Sequence, residues 1–177
     1  MINLIEVNAF NQAQAKALYI KSFPDNERKP WEIMEACVLK GTMKMYVVEK
    51  QAEVIALAFV ILDDAYLLLD YLAVAKAYQN QGIGSQILQS LAQSYPHLAL
   101  LVEIEDYAVY QEPIMKKREA FYLRNHFQVN DLHIILFGVA MILLSTKPIT
   151  FEIYKNILLQ TLGPYCDQYV QLNNQFH

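Results

Sequence analysis

Two spacings of apolar residues take turns along this chain. A short strand over residues 3–7 opens the chain. Over 11–22 the spacing lengthens to that of a helix, with Ala13, Ala17, Leu18 and Ile20 as its apolar set. The polar loop Phe23-Pro24-Asp25-Asn26-Glu27-Arg28-Lys29 follows. Pro30 stands where a helix accepts proline, at its first position, and Trp31, Met34 and Val38 continue at helical spacing until Gly41.

Residues 43–49 and 54–62 are β-rich runs joined by Lys50-Gln51-Ala52-Glu53, a hairpin pattern. Asp63-Asp64 turns the chain into a third run, 66–74. An amphipathic helix covers 84–95, with Ile83, Ile87, Leu88, Leu91, Ala92 and Tyr95 on one side, and Pro96 ends it. Residues 98–104 form a strand in which Ala99, Leu101 and Glu103 share a face. A helix over 114–125 and two strands over 132–137 and 139–144 follow, with Gly138 between the strands. Phe151, Tyr154, Ile157, Leu158 and Leu162 mark a C-terminal helix. This order predicts a mixed α/β (α+β) sheet in which only the middle strand–helix–strand unit need be parallel.

Composition narrows the partners. A chain of 177 residues is sized for one domain. Hydrophobic residues at 55% against 18% charged residues exclude intrinsic disorder. A net charge of −4 lacks the basic footprint of a nucleic-acid binder. The most apolar run, 132–144, is shorter than the ~18 residues of a membrane span and contains His133 and Gly138, so it reads as two buried strands. The opening Met1-Ile2-Asn3-Leu4-Ile5-Glu6 has neither a basic start nor a long apolar stretch, so no signal peptide is expected there. Cys37 and Cys166 form neither a metal spacing nor a disulfide framework, which suits a reducing compartment and leaves one distant bridge open. The expectations are a cytoplasmic protein with no metal, no nucleic-acid partner and no membrane partner.

The chemistry concentrates in two stretches. In the first, the strand ending Asp70-Tyr71-Leu72-Ala73-Val74 runs into a turn, Gln79-Asn80-Gln81-Gly82-Ile83-Gly84-Ser85, that opens directly into a helix. Glycines let backbone approach a ligand closely, and the first helical amides lack internal partners. Together they make a seat for a phosphate or diphosphate. A P-loop needs a Lys after the last Gly, and a dinucleotide fingerprint needs Gly at position 87, which is Ile; neither fits. A tight strand-to-helix turn without a ligand is the plainer alternative. In the second stretch, Lys116 to Phe127, the phenol of Tyr122 near a helix end is a weak acid able to return a proton to a leaving thiolate. An aromatic on an amphipathic helix is as readily a core residue.

With both stretches in view, the chain resembles the GNAT acetyltransferase superfamily. Gln79-x-x-Gly82-x-Gly84 looks like its motif A, and Phe121-Tyr122-Leu123-Arg124-Asn125-His126-Phe127 is similar to its motif B, with His126 where the family usually has Gly. Ser22-Phe23-Pro24-x-x-Glu27-Arg28-x-Pro30 resembles a bacterial subgroup. The resemblance covers roughly 1–145, the acetyltransferase domain; 146–177 reads as a helical extension packed on it.

The resemblance implies a mostly antiparallel central sheet with helices on both faces and a splayed pair of parallel strands, 66–74 and 98–104, holding the pantetheine arm of acetyl-CoA. A bulge at Leu72-Ala73 would free amides for the pantetheine and the acetyl carbonyl. Leu72, Ala73, Val74, Gln79, Asn80, Gln81, Gly82, Ile83, Gly84 and Ser85 are the implied cofactor residues. Lys117 and Arg124 are candidates for the outer phosphates, although Lys116-Lys117-Arg118 also fits a solvated helix face. The implied reaction is direct attack of a primary amine, on a small molecule or a peptide, upon the thioester. Asp70 is the first candidate base, since it shares a strand face with Leu72; Glu103 and Glu27 are its rivals. Tyr122 is the implied general acid. His133 lies on a late strand and reads as structural. A non-catalytic acyl-CoA-binding module is the competing function, and the strands of 132–144 offer a homodimer interface.

Overall fold

The computed structural model describes residues 2–163 and 166–173; the predicted extension's residues 164–165 and 174–177, and Met1, lie outside the described residues. The chain divides into two units. One comprises Met1–Leu62 with Leu69–Leu98, and the other Asp63–Leu68 with Ala99–His177.

In the first unit, β1 (Ile5–Glu6) pairs antiparallel with β2 (Met43–Lys50), and β2 pairs antiparallel with β3 (Glu53–Leu62). The Gln51-Ala52 turn between β2 and β3 has both residues at positive φ, the conformation that matches the twist of a two-residue hairpin. Positions Val54 to Ile61 of β3 are all buried, so the strand reads as a continuous apolar run.

Among the described residues this unit carries the α-helices α1 (Gln12–Ser22), α2 (Trp31–Leu39) and α3 (Ile83–Ser94). Helix α1 buries Ala15, Leu18 and Tyr19, while Ala13, Ala17 and Ile20 of the predicted apolar set are exposed. The aromatic ring decides that face. Tyr19 packs against Phe23, Trp31, Phe59 and Tyr71 with ring centroids 4.8–5.9 Å apart. Two alanines and one isoleucine cannot compete with a buried ring that meets four others. Pro30 precedes α2 as its cap rather than serving as its first residue. On α3, Ile83, Ile87, Leu88 and Leu91 are buried as their spacing predicts, and Ala92 is exposed.

Strand β4 (Tyr66–Val74) begins in the second unit and ends in the first. In the second unit its first residues pair in parallel with β5 (Ala99–Glu105): Tyr66 with Ala99, Leu67 with Leu100 and Leu68 with Leu101. Helices α4 (Tyr107–Tyr110) and α5 (Pro113–Arg124) follow β5. The hairpin of β6 (Gln128–Leu136) and β7 (Val139–Ser145) turns at Phe137-Gly138, both at positive φ. Strand β6 starts four residues before the predicted 132–137 run, and its pairing is irregular between Val129 and His133. Helix α6 (Phe151–Leu162) is capped by the Thr150 side chain. It is followed by α7 (Cys166–Tyr169) and β8 (Val170–Leu172), which pairs antiparallel with β6. The alternation of apolar residues did not mark α7 or β8, because each is too short to show a period.

The hydrogen-bonded strand order is β1-β2-β3-β4-β5-β7-β6-β8. This is the mixed, mostly antiparallel sheet expected from the sequence, with β4–β5 as its parallel pair. Cys37 and Cys166 are both buried and free.

Candidate active site

The turn after β4 is built in steps. A single 3₁₀ turn, Lys76–Tyr78, leads to Gln79 and then to Asn80, which adopts positive φ. Gln79 donates its side-chain amide to the Val74 carbonyl at 2.9 Å, and Gln81 donates to the Ala77 carbonyl at 3.1 Å. These two bonds brace the loop from within. Gly82 then caps α3 at φ +78, a left-handed conformation that suits glycine.

The first intrahelical bond runs from the Gln86 amide to the Gly82 carbonyl at 3.0 Å. The amides of Ile83, Gly84 and Ser85 precede it and have no intrahelical acceptor. They point out of the helix start, where the dipole adds partial positive charge. Gln79, Asn80, Gln81 and Gly82 are exposed and Gly84 and Ser85 half-buried, so a ligand has access. Leu72 and Val74 are half-buried and alternate with the buried Tyr71 and Ala73.

Asp70 stands upstream on the same strand. Its side chain is 4% exposed, and Oδ1 lies 2.5 Å from the Lys29 ammonium. Asp70 Oδ2 is buried and accepts no hydrogen bond among the described residues. The neighbouring Tyr71 hydroxyl accepts from the Lys29 amide at 3.0 Å and donates to the Glu27 carbonyl at 2.9 Å. The Tyr19 hydroxyl donates to the Lys29 carbonyl at 3.1 Å. Burial, and next the bond with Tyr71, push the Tyr19 phenol well above the ordinary tyrosine value. The segment carrying Glu27 and Lys29 is therefore fastened to β4 by an ion pair and by hydrogen bonds to its main chain. A cavity of about 320 Å³ opens beside it, with Tyr19, Arg28, Lys29, Trp31 and Glu32 in its lining.

In the second unit, Tyr122 of α5 is buried, and its ring packs against Phe121 and Phe127. Burial raises its phenol well above the ordinary value, so it stays protonated at neutral pH. Its hydroxyl makes no hydrogen bond among the described residues. His126 closes α5 at φ +68, so histidine takes the left-handed conformation that glycine adopts more cheaply. Glu103 Oε1 accepts a hydrogen bond from the Tyr154 hydroxyl of α6 at 2.6 Å. Lys116, Lys117, Arg118 and Arg124 are exposed, and Arg118 pairs with Glu105. His133 bonds Asp106 Oδ2 through Nδ1 at 2.5 Å, and Asp106 caps α4 with its other oxygen. That pair ties β6 to the start of α4, a structural use of the histidine.

Sequence reasoning missed Lys29, Tyr71 and Tyr154. Lys29 gave no signal, because a lysine in a charged loop is usually solvated. Tyr154 was visible only as one apolar position of a helix.

Comparisons with known proteins extend this geometry. A family model described as an acetyltransferase (GNAT) domain matches residues 41–129. No curated protein sequence matches the chain. Among solved structures, a GNAT-family protein from Bacteroides thetaiotaomicron superposes with a TM-score of 0.74 at 18% identity, over 92% of this chain and 97% of that one. A GNAT acetyltransferase from Elizabethkingia anophelis, solved with acetyl-CoA bound, gives 0.53 at 17% identity, over 82% and 97%. Arabidopsis thaliana Naa50, in complex with the bisubstrate analogue CoA-Ac-MVNAL, gives 0.61 at 16% identity, over 82% and 98%. At these identities the likeness is one of fold.

Proposed function

Because the chain belongs to the GNAT acetyltransferase family, we propose that it moves the acetyl group of acetyl-CoA directly onto a primary amine of a small molecule or peptide. One observation carries the reading. The exposed turn of residues 79–82 leads through a left-handed Gly82 into α3 and presents the amides of Ile83, Gly84 and Ser85 without intrahelical acceptors. A diphosphate satisfies such amides and the helix dipole at once. Gln79, Asn80 and Gln81 set the shape of that seat. Leu72, Ala73 and Val74 line the path of the pantetheine arm, and amides near Leu72 polarise the acetyl carbonyl, a contribution of about 3 kcal/mol in the transition state.

An alkyl ammonium must lose a proton before it can attack. Asp70 is the proposed acceptor of that proton, and its bare Oδ2 supports this reading. Glu103 is the second carboxylate in line. Tyr122, protonated at neutral pH, is the proposed donor to the departing thiolate. The chemistry requires acetyl-CoA as co-substrate and no metal. The acidic balance of the chain favours a cationic acceptor. A cytoplasmic location, a chain that engages neither nucleic acid nor membrane, and a homodimer through β6 and β7 are parts of the same proposal.

The test is twofold. Calorimetry with CoA and acetyl-CoA should show saturable binding, and thiol release should accelerate with one class in a panel of small amines and peptides. Binding without turnover on any amine would favour an acyl-CoA-binding module instead.

A further inference from the structure

A buried ion pair with one bare carboxylate oxygen is a poor device for stability. The unsatisfied oxygen loses its hydration without a replacement partner, and a well-packed apolar pair of equal volume commonly does as well. Asp70 nevertheless sits 4% exposed with Oδ2 unpartnered and Oδ1 against Lys29 Nζ. Chemically, this is an ammonium hydrogen-bonded to a carboxylate that can act as its general base once the proton is to leave. The carboxylate is also the one that the proposed function assigns to the acceptor amine.

We propose that Lys29 is itself an acceptor, so that the chain acetylates its own Lys29 Nζ when acetyl-CoA is bound and no other amine competes. The inference rests on the proposed acetyl-CoA site. Asp70 and Leu72 share a strand face about 7 Å apart along β4. The lysine stem is long and flexible, with four carbons between backbone and ammonium.

Asp70 takes one proton from the ammonium and passes it to water. The freed lone pair attacks the thioester carbonyl, an N–C bond forms, and the C–S bond breaks. The nitrogen's second proton leaves with the thiolate as the thiol of CoA. The product is a neutral amide, which can no longer pair with Asp70. Acetylation therefore releases the charge clamp between the Glu27–Lys29 segment and β4, and leaves the Asp70 carboxylate to an incoming amine.

The experiment incubates the full chain with isotopically labelled acetyl-CoA and no added amine, then maps the label by peptide mass spectrometry. Lys29 should acquire one acetyl group about a hundredfold faster than the exposed Lys21 and Lys40 of the same molecule. The rate should not depend on protein concentration. Lys29→Arg should abolish that label, and Asp70→Asn should slow it while acetyl-CoA affinity holds. Labelling of Lys29 no faster than Lys21, or at a rate proportional to protein concentration, overturns the proposal. If acetyl-CoA binds and an added amine is acetylated while Lys29 stays unmodified, this inference alone fails. If calorimetry shows no acetyl-CoA binding, the proposed function fails with it.

Discussion

Tyr154, fully buried in α6, donates its hydroxyl proton to Glu103 Oε1 at 2.6 Å. Glu103 lies within the stretch matched by the family model, at 41–129, and Tyr154 lies beyond it. Helix α6 thus reaches one of the three candidate bases. A hydrogen bond to a carboxylate favours its ionised form. Tyr154→Phe removes that bond and should cost about 1.5–3 kcal/mol in urea unfolding. If Glu103 serves as the base, turnover should also fall while acetyl-CoA affinity holds. Unchanged turnover would leave the role to Asp70.

Tyr122→Phe separates chemistry from packing. The phenol makes no hydrogen bond among the described residues, so its loss should change stability by less than about 0.5 kcal/mol. Turnover should fall by about a hundredfold if the phenol donates the proton to CoA, with CoA affinity unchanged by calorimetry. Equal losses in turnover and affinity would make the ring structural.

Gly82→Ala probes the proposed diphosphate seat. A Cβ on Gly82 would meet only Gln86 Nε2 at 3.9 Å, an ordinary contact. The penalty is therefore conformational, about 1–2 kcal/mol for the left-handed backbone, and should appear as a lower Tm. Any relaxation away from φ +78 turns the first amides of α3, so CoA affinity should fall as well.

His126→Gly is the converse experiment. His126 holds φ +68 on the surface at the end of α5. Glycine removes the strain there, and part of the gain is offset by its larger unfolded-state entropy. A net stabilisation of about 0.5–1 kcal/mol is expected in chemical denaturation.

Alkaline pH should unfold the protein cooperatively. Burial raises the phenols of Tyr19, Tyr46 and Tyr122 far above the value of about 10 that they take in the unfolded chain. Above that pH the unfolded state releases protons that the folded state retains, so stability is complete below it and falls as pH rises. Ultraviolet titration should show these phenols ionising together with the loss of far-ultraviolet circular dichroism.

Much of this architecture was legible from spacing. The strand runs at 43–49, 54–62 and 66–74, the helix after Gly82 and the C-terminal helix all match within one or two residues. Each is long enough for its apolar period to be read. The buried face of α1 was not legible, because Ala13, Ala17 and Ile20 mimic a stripe while Tyr19 holds the core position. Nor were β8 and the early start of β6, whose pairing depends on segments distant in sequence.

The sequence by itself determined the order of elements, the glycine turn that opens α3 and the family to which the chain belongs. Those are local properties, set by period, by backbone freedom at Gly82 and by residues a few positions apart. Only the tertiary structure decided that Lys29 rests on Asp70, that Tyr71 fastens the Glu27–Lys29 segment, and that Tyr154 reaches Glu103. Their partners lie some forty to fifty residues apart along the chain, with separations of 41, 44 and 51. Burial makes such encounters matter, since a carboxylate cut off from water takes its character from whichever side chain the fold delivers to it.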